Sequence, residues 1–384
     1  MSLISPPEAE SLLLADVHPL PVESIPLADS LHRVLREELH ADRPFPPFDR
    51  VTMDGIAFRA SDLIPGTPLL IQGLHPAGAP APPPLKPGHC WQIMTGSVLP
   101  ADCDTILPCE EVDLTDTTAH LKTTPSPGQF IHRKGSDAPA GRLLLVSGTR
   151  ISPGHLGLMA SIGATQIKVT RLPRIGILTT GDELIPMKQT PLPHQLRQSN
   201  GPTLVAALDH WGPTLRTWHH LPDDLAATTH AIAEALEEVD LLLLSGGISK
   251  GSKDFVRPAL ESLIGPPCFH GVAQRPGKPL AAWPKVVALP GNPNSTLTTF
   301  QRYFVPLLRR LTAATDPEPV TLPLARPTKP HPKLTLFLPA TLDSKGRAIP
   351  LTPQNSGDFV TPLQATGLLE IPPGHKEVTT ARFL

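Results

Sequence analysis

Carboxylates, glycines and two cations of this chain gather in short polar turns that close apolar runs. RIGILTTGDE (Arg174–Glu183) ends in Thr179-Thr180-Gly181-Asp182-Glu183, and LLLLSGGISKGSKD (Leu241–Asp254) carries Ser245, Gly246, Gly247, Ser249 and Asp254. VVALPGNPNST (Val286–Thr296) ends in Pro290-Gly291-Asn292-Pro293. Asp223 stands in Pro222-Asp223-Asp224, and Arg275 and Lys278 bracket the turn RPGK. Glycines let backbone N–H groups approach a ligand closely, and a following helix N-terminus favours anions. A phosphate-bearing ligand fits such a loop. One Gly-rich loop can equally be a plain strand-to-helix turn. Three of them at strand ends in one parallel sheet would face one crevice.

Further candidates precede these. In PFPPFDRVTMDGIAFR, Asp49 and Asp54 share a polar turn. They read either as oxygen ligands for a divalent cation or as two Asx-turn residues. Thr95-Gly96 in IMTGSVLP offers a hydroxyl beside bare backbone. His132, Arg133 and Lys134 precede Gly135 and Asp137, a trio that could neutralise an anion or simply be solvated. Asn355-Ser356-Gly357-Asp358 marks a late polar turn.

The elements around these turns predict an α/β protein. Leu241–Leu244 reads as a strand buried on both faces, and Asp254 is expected to cap a helix over 255–263. Strand 174–179, helix 203–211, strand 215–220, helix 225–238 and a helix from about 295 to 311 alternate as in a doubly wound parallel sheet. Short β-like runs cut by prolines fill 60–130 and return after 313, while residues 1–43 predict one or two short helices. The expected domains are 1–43 with 131–170, a β-rich insert at 44–130, the α/β core at 171–316 and a C-terminal β domain at 317–384.

Fifty prolines in 384 residues, well over twice the usual roughly 5%, are spread along the chain and predict stiffened loops. A net charge of −2 argues against a nucleic-acid or membrane-surface partner. Four cysteines lack CxxC spacing, and neither a signal peptide nor a long apolar run is evident, so a reducing cytoplasm is the expected location.

In chain order, PPFDRVTMDGIAFR, IMTGSVLP, GQFIHRKGSD, the run from GTRISPGHLG to ILTTGDEL, SNGPTL, LSGGISKGSKDF, RPGKP and LPGNPNS resemble the MoeA-type molybdopterin molybdotransferases, the family that includes the gephyrin E domain. The resemblance spans roughly residues 40–300. It implies an elongated multidomain subunit with a molybdopterin-binding core, a homodimer, and a cleft between the core of one copy and the insert of the other. The implied reaction takes adenylylated molybdopterin and molybdate, uses Mg²⁺, and yields molybdenum cofactor and AMP. Other proteins of the same biosynthesis are implied partners.

By the same resemblance, Asp54, Glu183, Asp223 and Asp254 fall on acidic positions tied to catalysis. Of these, Asp54, Glu183 and Asp254 are candidates for the metal. Thr95, Asp137, Ser245, Gly246, Gly247, Ser249, Arg275, Lys278, Pro290, Gly291, Asn292 and Ser356 are the implied substrate contacts. Departures from the family pattern stand at Gln198 (usually Asp), Gly271 (often Lys), His132 (usually Arg) and Ser136 (usually Glu). Two alternatives remain beside this reading: the adenylylating step that precedes it, and a pterin-binding scaffold without catalysis.

Overall fold

The computed structural model describes residues 3–248, 254–355 and 357–384, so Ser249 and Ser356 lie outside the described residues. Contacts divide the chain into two units. One gathers Met1–Glu37, Ser147–Leu156 and Thr165–Leu384; the other holds Glu38–Val146 and Gly157–Ala164.

The larger unit is built on a six-stranded sheet of β1 (Arg174–Thr180), β2 (Leu215–Leu221), β3 (Leu241–Ser245), β4 (Phe269–His270), β5 (Ala281–Trp283) and β6 (Val286–Leu289). Its order is β2-β1-β3-β6-β5-β4, the first four parallel and the last two antiparallel. All five β3 residues are buried. Successive side chains point to opposite faces, so a run of four leucines needs helices on both. Leu241 and Leu243 pack with Leu204 and Leu208 of α1 (Asn200–Trp211). Leu242 and Leu244 pack with Ile232 of α2 (Leu225–Glu238) and Ala259 of α3 (Val256–Ile264). At about 1.5–3 kcal/mol per buried leucine, this strand is the densest apolar contribution to the core.

Caps set where the helices start. Asp224 occupies the N-cap of α2, its carboxylate accepting from the Ala227 amide at 2.7 Å. The cap expected from Asp254 does not form. The first helical residue of α3 is Val256 and its N-cap is Phe255, which leaves Asp254 one residue too early. The single helix expected near 295–311 is also interrupted. It runs as α4 (Pro293–Thr299), a π-helical turn (Phe300–Phe304) and α5 (Val305–Thr312). At the start of the chain one helix forms, Pro6–Leu14, with a Ser5/Glu8 capping box. Val22–Pro26 is instead a strand paired with Gln166–Thr170.

A second six-stranded sheet in this unit contains Val320–Thr328, Thr335–Leu342, Ala348–Pro350, Gly367–Ile371 and Val378–Phe383. Its remaining member is the two-residue edge Gln274–Arg275, parallel to Thr335–Leu336. Arg302 is buried among these elements. Its guanidinium donates to Glu10 of the first helix at 2.8 Å and to Glu370 of this sheet at 3.1 Å.

Just before β3, Asp240 accepts from Arg171 at 2.8 and 2.6 Å and from the Arg174 amide at 2.8 Å. Burial alone would raise this carboxyl, but these partners outweigh it and hold the group below its ordinary 3.8. A depressed folded pKa contributes stability above the unfolded value, and that stability is lost as pH falls through the folded value. Asp240→Asn is therefore expected to destabilise the larger unit by about 1.5–3 kcal/mol at neutral pH. The deficit should shrink once pH falls below the ordinary aspartate range. Urea titrations at pH 7 and pH 3 check this; an equal deficit at both pH values refutes it.

The smaller unit carries its own sheet, in the order Thr105–Pro108, Gly55–Phe58, His89–Ile93, Leu69–His75, Thr118–Leu121, Val112–Leu114. Gly55–Phe58 is wholly buried. A Cβ on Gly55 would lie 2.0 Å from the Leu107 carbonyl oxygen, which explains the glycine directly after Asp54. Among the described residues no helix is long and apolar enough to cross a membrane.

Candidate functional site

A cavity of about 790 Å³ opens where β1, β3 and β6 end. Glu183, Asp223, Asp254, Ser245, Gly246, Gly247, Arg275, Lys278, Pro290, Gly291 and Asn292 all line it. The parallel register brings their loops level, Thr179 lying opposite Ser245 and Ser245 opposite Leu289. Three of the implied carboxylates and both implied cations thus share one wall system, of a size ordinary for a small-molecule site.

Polar ties hold the loops together. The Asn200 amide donates to the Ser245 hydroxyl at 2.9 Å and to the Gly291 carbonyl at 2.7 Å, joining the start of α1 to the ends of β3 and β6. Asp182 and Asp223 exchange bonds, each backbone N–H donating to the other's carboxylate at 3.3 and 3.0 Å. Gly246 takes φ +98°, and a Cβ there would meet the Thr180 carbonyl oxygen at 2.8 Å. Sequence reasoning did not single out Asn200 or Asp182 as site residues, although the dipeptides Ser199-Asn200 and Asp182-Glu183 were in view.

Several groups at the cavity are left without protein partners. The Thr180 hydroxyl is buried in the wall and has no hydrogen-bond partner among the described residues. The side chains of Arg275 and Lys278 likewise have no hydrogen-bond or ion-pair partner among the described residues. Burying an unpaired donor is costly unless a ligand supplies the acceptor. Cations and an orphaned hydroxyl together suit an anion.

Asp54, Thr95 and Asp137 belong to the smaller unit. There the Thr95 amide donates to Asp54 at 2.6 Å, and this bond holds the Asp54 carboxyl below its ordinary range. Asp49 is committed elsewhere, accepting from Arg133 at 2.6 Å and from the Lys134 amide at 2.8 Å. Asp49 and Asp54 thus engage separate partners. Asp137 accepts from His132 at 2.8 Å, which depresses its carboxyl. The other His132 nitrogen lies 3.3 Å from Arg50, which sets a histidine and an arginine side by side there.

Two of the remaining departures, Gln198 and Gly271, have defined local settings. The Gln198 amide donates to the Thr179 hydroxyl at 3.1 Å inside the larger unit. Gly271 takes φ +95°, where a lysine would be strained. Among the described residues no group of three or more His, Cys, Asp or Glu side chains could by itself hold a metal ion. Glu183 and Asp254 remain hard oxygen donors on the cavity wall, the ligand type that Mg²⁺ shares with substrate phosphates.

Comparisons with known proteins agree across both units. Residues 4–163 match the family description "MoeA N-terminal region (domain I and II)", and residues 176–310 match "Probable molybdopterin binding domain". A molybdopterin molybdenumtransferase from Synechocystis is 35% identical over 356 residues, covering 89% of each chain. One from Synechococcus elongatus is 36% identical over 391 residues, covering 97% of this chain and 96% of that protein. Two solved molybdopterin biosynthesis moeA proteins from Pyrococcus horikoshii align with TM-scores of 0.82 and 0.75 at 24% and 28% identity. The first covers 100% of both chains; the second covers 100% of this chain and 98% of that one.

Proposed function

Because the chain belongs to the molybdopterin molybdenumtransferase family, we propose that it inserts molybdate into adenylylated molybdopterin and releases AMP. The observation that carries this reading is the placement of Arg275 and Lys278, without side-chain partners among the described residues, beside the Gly-rich strand ends of one cavity. Cleaving the phosphoanhydride builds negative charge, which the two cations and the N-terminus of α1 are placed to stabilise. Molybdate is itself a dianion and needs the same kind of partner. The Thr180 hydroxyl supplies one further donor.

Mg²⁺ belongs to the proposal as well. Glu183 and Asp254 would hold it, and when bound it would neutralise charge on the pyrophosphate. Two hard oxygen donors would leave further coordination positions for oxygens of the substrate. We take the active assembly to be a homodimer, with Asp54 and Thr95 serving the partner copy's site. The location is taken as the cytoplasm, where four free cysteines stay reduced.

The deciding experiment follows AMP release from adenylylated molybdopterin, with molybdate or tungstate and Mg²⁺ each added or omitted. Release that requires both an oxyanion and Mg²⁺, and that stops on chelation, is the expected outcome. Tight nucleotide binding without release would overturn the transferase reading in favour of a scaffold. ATP consumption without molybdate would point to the adenylylating step.

A further inference from the structure

We infer that Tyr303 and Gln274 are positioning residues that fix the RPGK turn, and with it Arg275 and Lys278, at the cavity. The inference rests on the transferase reading above. Neither cation has an ion pair or side-chain hydrogen bond of its own among the described residues. Their placement therefore depends on the backbone that carries them.

That backbone is held from beneath by two buried side chains. Gln274 and Tyr303 are each 1% exposed. The Gly277 carbonyl can only accept, so the Gln274 group facing it at 3.0 Å must be the amide nitrogen. The Gln274 oxygen then faces Tyr303, whose hydroxyl donates to it. Chemistry thus settles both the amide orientation and the direction of the chain: Tyr303 to Gln274 to Gly277. Burial pushes the Tyr303 hydroxyl well above its ordinary 10, so it stays a donor at working pH.

The turn has little freedom to settle elsewhere. Gly277 takes φ +85°, and a Cβ there would lie 2.4 Å from the Thr299 methyl of α4. Its carbonyl also accepts from the Leu280 amide at 3.2 Å, and the Val272 amide donates to Lys278 at 2.9 Å. Tyr303 reaches this point from the π-helical turn that follows α4. π turns inside helices often mark functional positions, because they re-aim a side chain without ending the helix. The helix that leaves the Pro290-Gly291-Asn292 loop thus supports, about three turns later, the cationic turn on the same cavity.

Tyr303→Phe and Gln274→Met test this in the full-length protein. The KM for adenylylated molybdopterin should rise about three- to tenfold, the loss of one buried neutral hydrogen bond. kcat should fall by no more than a similar factor, since the same cations face the charge built in the reaction, and the double variant should be no worse than the poorer single one. In hydrogen exchange, the Val272 and Leu280 amides should exchange faster while Leu242–Leu244 in β3 keep their protection. Unchanged KM with unchanged turn exchange would overturn the inference. So would faster exchange spread evenly through β3, which would make the pair a general stabiliser. If the natural chain releases no AMP, the transferase reading fails on its own, and the exchange measurement still decides the role of the pair.

Discussion

Glu183→Gln should cut AMP release by roughly a hundredfold while the protein unfolds at the same urea concentration as before. Glu183 is exposed on the cavity wall, and its carboxylate folds back over Gly181. A Cβ on Gly181 would come within 2.8 Å of that carboxylate, and Gly181 itself takes φ +138°. Glutamine keeps the side chain's volume and reach and removes only its charge. An exposed side chain changed in this way should alter stability by no more than about 0.5 kcal/mol. Loss of turnover with an unchanged unfolding midpoint therefore isolates the charge. Full AMP release from the variant would remove Glu183 from the proposed metal set. The same variant tests the dimer. Mixed and re-associated with Asp54→Asn protein, half the dimers are hybrids with one intact site each, so about a quarter of natural activity should return. Mixing that restores nothing would mean that both residues act within one copy.

Arg302→Met should cost the fold about 3–5 kcal/mol. Arg302 is 2% exposed, yet it carries charge-assisted bonds to Glu10 and Glu370, with Arg382 a further 3.4 Å partner of Glu370. Removing the arginine strands a mostly buried carboxylate at Glu370 that only Arg382 can then answer. The effect arises from the charge left behind more than from the pair's net value. Replacing Arg302, Glu10 and Glu370 together with apolar residues should thus cost far less than the single change. Trp91 lies in the smaller unit and Trp211, Trp218 and Trp283 in the larger. A Trp91→Phe background therefore lets fluorescence follow the larger unit alone during urea unfolding. A single variant within about 1 kcal/mol of the natural protein would contradict the argument.

The parts of this structure that were legible in the sequence are those fixed by neighbours along the chain. Four consecutive leucines demanded a strand covered on both faces, and α2 was readable from its apolar stripe behind Asp224. The Gly-rich strand ends were readable for the same reason, and eleven of the implied residues do line one cavity. What stayed hidden depends on residues distant in sequence or on a shift of a single position. Gln274 meets Tyr303 across 29 residues, and Arg302 meets Glu370 across 68. No local pattern announces either pair. The α3 cap missed by one residue: capping preference favours Asp254, yet the helix takes Phe255 as its N-cap, with no side-chain cap bond. Val22–Pro26 became a strand because Gln166–Thr170 was there to pair with it, which propensity alone does not reveal.

The π-helical turn at Phe300–Phe304 also limits how this chain can change in length. Each residue of a helix advances its phase by about 100°. The wider π turn takes up one residue more than a regular helix would, so deleting one residue there would restore a regular helix with the following helix still in phase. Leu307, Leu308 and Leu311 would keep facing the core, while Arg302 and Tyr303, which lie within the turn, could no longer face their partners together. Proline-rich loops elsewhere can gain or lose residues at small cost. A chain one residue shorter at this turn should therefore keep its helix and its core yet lose the two side chains that the turn aims.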